Sequence, residues 1–290
     1  MIAITGANGQ LGRLVIQSLQ RLAPATRIIA AVRSPDKAQD LKSPTVEIRE
    51  ADYDRPATLV KAFTGVDKLL LISANDLSGV RLAQHKAAID AAKSAGVKLI
   101  AYTSILHTDT SELILTEEHR ATEAYLKASG VPHVLLRNGW YTENETAALP
   151  AVLAHSAFIG SSAEGRISYA ARGDYAETAA RVLLADDQAG RTYELAGDEG
   201  VTLGEFAAET ARLAGKPISY VNLPQADYAA ALLGAGLPAP LANMLADSSA
   251  KSATGGLYDN TRTLSRLIGR PTTPIRETLA AALKAHTVAA

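Results

Sequence analysis

Two different periods of apolar and polar positions alternate along the first half of the chain. Short, nearly continuous apolar runs, typical of parallel strands covered on both faces, are separated by longer stretches of helical periodicity. The predicted strands are Met1–Thr5, Arg27–Val32, Thr45–Glu50, Lys68–Ser73, Val97–Ser104 and His133–Arg137. The predicted helices between them include Gln10–Leu22, Arg81–Ala95 and Glu117–Ser129. Strands joined through helices imply right-handed crossovers, so the pattern predicts an α/β fold with a doubly wound parallel sheet.

The regular alternation of predicted strands and helices becomes less clear after about residue 144. Ala-rich helices are predicted over Ala176–Leu184 and Leu203–Ala214, with short strands over Thr192–Ala196 and Ile218–Asn222. We therefore predict a main domain over residues 1–145, to which the chain returns at about 165–197. Residues 146–290 are expected to form a smaller α/β substrate region over the ligand edge of the sheet.

The last third is rich in Gly, Pro and Ala. Loops are predicted at Leu237–Pro240 and Ser252–Gly256, because glycine and proline interrupt regular structure there. The composition of Ser248–Gly256 is that of a flexible segment, and we interpret it as a candidate part of a lid.

The overall composition narrows the function classes. The 290 residues are 47% hydrophobic and 20% charged, which suits a globular chain with a sizeable core. A net charge of -1 provides no field for recruiting nucleic acid or acidic membranes. The start of the chain has no signal-peptide pattern, and no apolar run approaches the roughly 20 residues that span a bilayer. We expect a cytoplasmic protein without membrane insertion.

Several kinds of catalytic site are excluded because the sequence lacks the residues or the spacing that they require. The chain has no cysteine, which removes disulfides, thiolate nucleophiles and cysteine metal sites. Its six histidines show no paired-ligand spacing, so no metal site is predicted. The absence of a GxSxG segment argues against a serine hydrolase of the α/β type.

Three glycines at three-residue spacing follow the first predicted strand and open the first predicted helix, at Gly6, Gly9 and Gly12. Such glycines allow a tight turn, a close approach of backbone to pyrophosphate, and close packing of helix on sheet. The helix N-terminus then presents free N–H groups to phosphate. The spacing departs from the commoner GxGxxG, and the alternative is an ordinary turn. We interpret it as a dinucleotide-binding turn.

Arg33 stands at the end of the second predicted strand, where an acidic residue would bind the ribose hydroxyls of NAD. An arginine can instead make a charge-assisted contact with the extra phosphate of NADP. The following Ser34–Asp36 segment is typical of a helix start with proline in its first turn. Arg33 therefore favours NADPH, with a solvated surface charge as the alternative.

A series of segments resembles a known family. TGANGQLG at 5–12, AAKSAGVK at 91–98, AYTS at 101–104 and LRNGWYTEN at 136–144 resemble the NmrA-like atypical short-chain dehydrogenase/reductases. Within that family the chain is most similar to the bacterial type 2 NADPH:quinone oxidoreductases. The resemblance runs the whole length and implies a Rossmann-type fold. It also implies NADPH-dependent reduction of quinones by direct hydride transfer, without flavin or metal.

The resemblance also implies a set of site residues. Those at the glycine turn would wrap the pyrophosphate, Arg33 would meet the 2′-phosphate, and Ser73 would lie near a ribose. The implied cofactor contacts are Gly6, Ala7, Asn8, Gly9, Gln10, Leu11, Arg33, Ser73, Ala74, Asn75, Thr103, Ser104, Arg137, Asn138, Gly139, Trp140 and Tyr141. The implied substrate contacts are Trp140, Tyr141 and Asn144. For the two aromatic residues the alternative is a role in the core.

Typical short-chain dehydrogenases protonate an alkoxide with a Tyr that has Lys four residues later. None of the ten tyrosines here has that partner, and the corresponding helix carries His119 and Glu123. An alkoxide has a conjugate acid with a pKa of about 15.7, like water, whereas a quinone gives a phenolate, with a pKa of about 10. The difference is on the order of 8 kcal/mol, so a quinone needs much less help from an acid. His119 is the candidate proton donor, and the alternative is a simple contact with Glu123.

Two rival functions fit the same pattern. One is reduction of other conjugated electrophiles, such as triphenylmethane dyes. The other is an NADP-binding redox sensor that regulates a partner protein, as in NmrA-type proteins. The aromatic pair at residues 140 and 141 favours an enzyme, because a sensor needs no substrate pocket. The sequence leaves the physiological quinone open, and it leaves the choice between a monomer and a homodimer open.

Overall fold

The computed structural model describes residues 1–289, with side chains described through His286. The strands are β1 (Ile2–Thr5), β2 (Ile28–Val32), β3 (Val46–Glu50), β4 (Lys68–Leu71), β5 (Leu99–Ile105), β6 (His133–Asn138), β7 (Ala157–Gly160), β8 (Arg166–Ile167), β9 (Thr192–Leu195), β10 (Val201–Thr202) and β11 (Ser219–Asn222). The helices are α1 (Gln10–Leu22), α2 (Pro56–Phe63), α3 (Arg81–Ser94), α4 (Ile114–Ser129), α5 (Thr142–Thr146), α6 (Leu149–His155), α7 (Arg172–Leu184), α8 (Leu203–Ala214), α9 (Gln225–Gly234), α10 (Ala239–Ser252), α11 (Thr263–Ile268) and α12 (Ile275–Ala289). A 3₁₀ segment covers Pro35–Leu41.

The chain forms two compact units. The first consists of Met1–Thr108, Glu117–Asn138 and Tyr175–Tyr193. The second consists of Asp109–Thr116, Gly139–Asp174 and Glu194–Ala290. The predicted boundary at residue 145 lies inside the Gly139–Asp174 segment.

A seven-stranded sheet with the order β3-β2-β1-β4-β5-β6-β9 is the main feature of the fold. The pairings of β1 with β2 and β4, of β2 with β3, and of β5 with β4 and β6 are all parallel. The strand order reverses beside β1, which is the switch point where doubly wound sheets bind ligands. The predicted Rossmann-type α/β fold is confirmed.

Strand burial explains why the sequence forms this sheet. β1, β2 and β5 are buried at every position, as strands covered by helices on both faces must be. Helix α1 places Val15, Ile16 and Leu19 in the core at helical spacing and leaves its polar face outside. The predicted helix Gln10–Leu22 is confirmed to the residue.

The second unit contains two small sheets, with β7 parallel to β11 and β8 antiparallel to β10. Helix α8 starts with a capping box in which the Thr202 side chain accepts from the Glu205 N–H and Glu205 accepts from the Thr202 N–H. No helix within residues 1–289 combines the length and apolar character needed to span a bilayer.

The predictions for the last third require a correction. Ser248–Ser252 are helical in α10, so the interpretation of Ser248–Gly256 as one flexible lid segment is wrong for them. The helix buries Ser248 and Ser252 on a face of small residues, and tertiary packing overrides their weak helix propensity. The predicted loop Leu237–Pro240 is also too long, because α10 starts at Ala239 with Pro240 in its first turn.

Candidate active site

The glycine turn joins β1 directly to α1. Gly6 has a φ of 58°, in the left-handed region that glycine adopts without strain. A Cβ on Gly12 would lie 2.5 Å from the carbonyl oxygen of Gly6, so any side chain there would collide with backbone. Gly9 caps α1, whose first N–H groups have no partner within the helix. The turn is therefore a cradle that presents the N–H groups at the start of α1, while the Gly9 N–H itself donates to the Gly6 carbonyl at 2.9 Å.

A cleft of about 510 Å³ opens above this turn, and residues of the first unit alone line it. Most of them follow the carboxyl ends of β1, β2, β3 and β4, the edge where parallel sheets bind ligands, and Gln84 comes from α3. The sequence-predicted residues on this lining are Gly6, Asn8, Gly9, Gln10, Leu11, Arg33, Ser73, Ala74 and Asn75. Ala7, by contrast, is fully buried beneath the turn.

The β2 end of the cleft is positively charged. Arg33 and Lys37 are both exposed on the lining, next to Ser34, and neither cation is ion-paired with any side chain described through His286. The side-chain amide of Asn8 donates to the carbonyl of Lys37 at 3.2 Å, which ties the 3₁₀ segment to the glycine turn. This end of the cleft therefore offers two cations and a hydroxyl to an anionic group.

Sequence reasoning missed several lining residues, among them Lys37, Asp52 and Tyr53. Burial opposes ionisation of Asp52, but bonds from Arg55 and the Asp54 N–H, with the charges of Arg55 and Arg33, hold its pKa below the ordinary value. Burial raises the pKa of Tyr53 to about 12. For Asp52 and Tyr53 the available signal was their position just after β3, because the residues that follow parallel strands lie at the same edge of the sheet.

Side chains hold the segment that follows β4. The N–H of Ile72 donates to Thr5 Oγ1 at 3.0 Å, and the N–H of Ser73 donates to Thr103 Oγ1 at 2.8 Å. Thr103 is buried behind this segment and does not line the cleft. Its hydroxyl thereby fixes the backbone that forms one wall.

Behind the cleft, α4 presents its two candidate residues to different partners. Glu123 accepts from the Arg137 guanidinium at 2.6 and 3.0 Å and from the Ser104 hydroxyl, and all three side chains are buried. His119 Nδ1 lies 2.8 Å from the Tyr102 hydroxyl. Burial, followed by the charge of Arg81, holds the pKa of His119 well below its ordinary value. His119 is therefore a neutral imidazole in the core.

The predicted residues of the second unit form a separate group. Trp140 Nε1 donates to Glu145 Oε1 at 3.1 Å, and the Arg172 guanidinium lies 4.8 Å from the centre of the Tyr141 ring. Burial raises the pKa of Glu145, although a bond from Trp140 opposes the shift. Asn144 accepts from Arg172 at 3.4 Å. Glu145 was not predicted, although it directly follows the LRNGWYTEN segment.

Comparison with known proteins adds an independent observation. A family described as NAD(P)H-binding matches residues 6–186. The chain is 53% identical to quinone oxidoreductase 2 of Escherichia coli, over 96% of this chain and 97% of that protein.

Two solved structures have the same fold over nearly their full length. A crystal structure of an NADPH-dependent quinone oxidoreductase complexed with NADPH, from Escherichia coli, has a TM-score of 0.94 at 52% identity and covers 98% of this chain and 100% of that one. The triphenylmethane reductase of Citrobacter sp. complexed with NADP(H) has a TM-score of 0.91 at 34% identity, covering 97% and 100%. The glycine cradle, the cleft and these similarities agree, and the chain belongs to the NAD(P)H-binding family.

Proposed function

We propose that this protein catalyses the NADPH-dependent reduction of quinones by direct hydride transfer, without flavin or metal. The observation that carries the proposal is the cleft at the switch point of the sheet, with a glycine cradle at its centre and exposed cations at its β2 end. The full-length similarity to a quinone oxidoreductase supports the choice of acceptor.

The residues of the cleft fit the coenzyme. The N–H groups at Gln10 and Leu11 suit a pyrophosphate, since a helix N-terminus carries a partial positive charge. Arg33, with Ser34 and Lys37, suits the 2′-phosphate that distinguishes NADPH from NADH. When bound there, NADPH supplies the hydride.

The other residues proposed to contact the coenzyme are Ser73, Ala74 and Asn75 on the β4 wall. Of the contacts that the resemblance implies, four are buried and absent from the cleft lining, and we propose that they support its wall from behind: Thr103, Ser104, Arg137 and Asn138. Gly139, Trp140 and Tyr141 complete the set, and Trp140, Tyr141 and Asn144 are proposed to bind the quinone. In the proposed reaction, the residues of this chain bind the coenzyme and the quinone, orient them relative to each other, and exclude water.

The α4 residues argue for an acceptor that needs no strong acid. Glu123 is committed to an ion pair with Arg137, and His119 is buried, neutral and hydrogen-bonded to Tyr102. Neither group is available to protonate an alkoxide in the cleft. A quinone fits this situation, because its reduced form tolerates negative charge at a pKa of about 10.

The experiment is to mix purified protein with NADPH and a benzoquinone and to follow the loss of NADPH absorbance. We expect turnover, with hydroquinone formed in equal amount to the NADPH consumed. Tight NADPH binding without turnover of any acceptor would instead indicate a redox sensor. Faster turnover of a cationic triphenylmethane dye than of quinones would indicate a dye reductase, which the 34% identical reductase makes a specific alternative.

The variant His119→Phe tests the role of the buried imidazole. Since His119 lies in the core, we expect quinone turnover within about twofold of wild type, with a stability loss of about 1–3 kcal/mol from the unpartnered Tyr102 hydroxyl. A large fall in kcat with unchanged stability would restore His119 as the proton donor.

A further inference from the structure

The backbone of one residue on the β4 wall of the cleft is held at both its N–H and its carbonyl by side chains of a single helix. The N–H of Ala74 donates to His85 Nε2 at 2.9 Å, and the carbonyl of Ala74 accepts from Arg81 Nε at 2.7 Å. Both side chains come from α3, four residues apart and therefore on the same face. Ala74 lines the cleft, whereas His85 and Arg81 are buried behind it.

The hydrogen bonds fix the tautomer of His85. Because Nε2 accepts the Ala74 N–H, the proton of the neutral ring is on Nδ1, which donates to Thr122 Oγ1 at 3.0 Å. The Thr122 hydroxyl in turn donates to the Glu118 carbonyl at 2.8 Å. The imidazole is thus held in the orientation that aims a lone pair at Ala74.

Arg81 is anchored by an ion pair with α4. Its Nη1 lies 3.1 Å from Glu118 Oε2, and only 3% of the residue is exposed. An arginine buried in this way is costly unless its charge is paired, so this position is a specific use of the residue. Glu118 of α4 therefore contacts both groups: its carbonyl accepts from Thr122, which holds His85, and its carboxylate is ion-paired with Arg81.

We infer that His85 and Arg81 form a positioning clamp that sets the β4 wall for the nicotinamide half of the bound coenzyme. The inference rests on the proposed function. In a doubly wound sheet the dinucleotide crosses the switch point, with one half on each side of β1. Arg33 lies on the β2 side, with the 2′-phosphate, and Ala74 follows β4 on the other side.

This division predicts a selective effect that a general loss of stability would not give. Calorimetry should compare NADPH with adenosine 2′,5′-bisphosphate, which has the 2′-phosphate but no nicotinamide. For His85→Leu, we expect the Kd of NADPH to rise about tenfold, because the Ala74 N–H loses its acceptor. The Kd of the bisphosphate should stay within about twofold of wild type.

Two further variants of the clamp and one control distinguish a specific effect from a general loss of stability. His85→Gln places an amide oxygen where Nε2 accepts, and should restore most of the NADPH affinity. Thr122→Val removes the acceptor of Nδ1–H at little change in volume, and should weaken NADPH less than His85→Leu but with the same selectivity. It serves if His85→Leu does not fold. Arg33→Ala is the matched control, since it should weaken both ligands.

The outcomes separate the clamp from the proposed function. Equal weakening of both ligands by His85→Leu, or no weakening of NADPH, overturns the clamp even when the wild type reduces quinones. Selective weakening of NADPH supports the clamp even when the wild type binds NADPH without quinone turnover, the result that removes the proposed function. Wild-type protein that binds no NADPH overturns both.

Discussion

The β2 end of the cleft, here called the mouth, and the buried side chains behind the cleft differ in how their charges are satisfied. At the mouth, Arg33 and Lys37 are exposed and are not ion-paired in the part of the chain that the structure describes. Behind it, Glu123 and Arg137 are buried and bound to each other through two hydrogen bonds. A charge that the fold leaves unpaired at a cleft is available to a ligand, whereas a buried charge must be satisfied by the protein itself. An unpaired charge at a cleft therefore indicates a ligand-binding function, whereas a buried, paired charge indicates a role in the fold.

The largest effect should come from breaking the buried pair. Glu123→Ala leaves the Arg137 guanidinium buried without its carboxylate and deprives Ser104 of an acceptor. We expect a loss of about 3–5 kcal/mol in the free energy of unfolding, measured by urea denaturation. An unchanged denaturation midpoint would show that this pair adds nothing to stability.

Acid should weaken the buried layer next. The pKa of His85 is lowered to about 3, by burial and then by the charge of Arg81, while an unfolded histidine titrates near 6.5. The unfolded state thus binds more protons, so this stability is present above about pH 6.5 and is lost as the pH falls toward 3. Arg81, Tyr102, His119 and Thr122 face the ring, and Glu118 is ion-paired with Arg81.

The test compares wild type with His85→Gln, which has no titrating ring. Between about pH 6 and 4, the wild type should lose unfolding free energy faster than the variant by about 1.4 kcal/mol per pH unit. Parallel stability curves for the two proteins would mean that His85 is not kept neutral by the fold.

The mouth can be tested through ligand choice. Arg33→Ala should raise the Kd of NADPH by about tenfold to a hundredfold, the value of a lost bond to a charged group, and should leave NADH nearly unchanged. Lys37→Ala serves as a matched variant on the same lining and should act in the same direction, more weakly. Equal losses for NADPH and NADH would contradict the assignment of this end to the 2′-phosphate.

The two regions also differ in how far the sequence predicts them. The sequence correctly placed the glycine turn and Arg33 at the ligand edge of the sheet, because their signal is local: adjacent residues at a strand end have one geometry in any parallel sheet. The partner of Glu123 was not predicted correctly, because helical spacing favoured a contact with His119, four residues away. The structure joins Glu123 instead to Arg137 on β6, and such a contact depends on how helix and sheet pack. Likewise the serines of α10 suggested a loop because burial of small residues leaves no periodic signal.

The smallest effect is expected for an ion pair on the surface. Arg13 and Asp40 are joined at 2.5 Å, as closely as the buried pair, but 33% of the Arg13 side chain and 63% of the Asp40 side chain are exposed. Solvent screening and the freedom of exposed side chains make such pairs nearly neutral in stability. Asp40→Asn should therefore leave the urea midpoint unchanged under the conditions that resolve Glu123→Ala. A comparable loss from both variants would show that distance, and not burial, decides what an ion pair contributes in this protein.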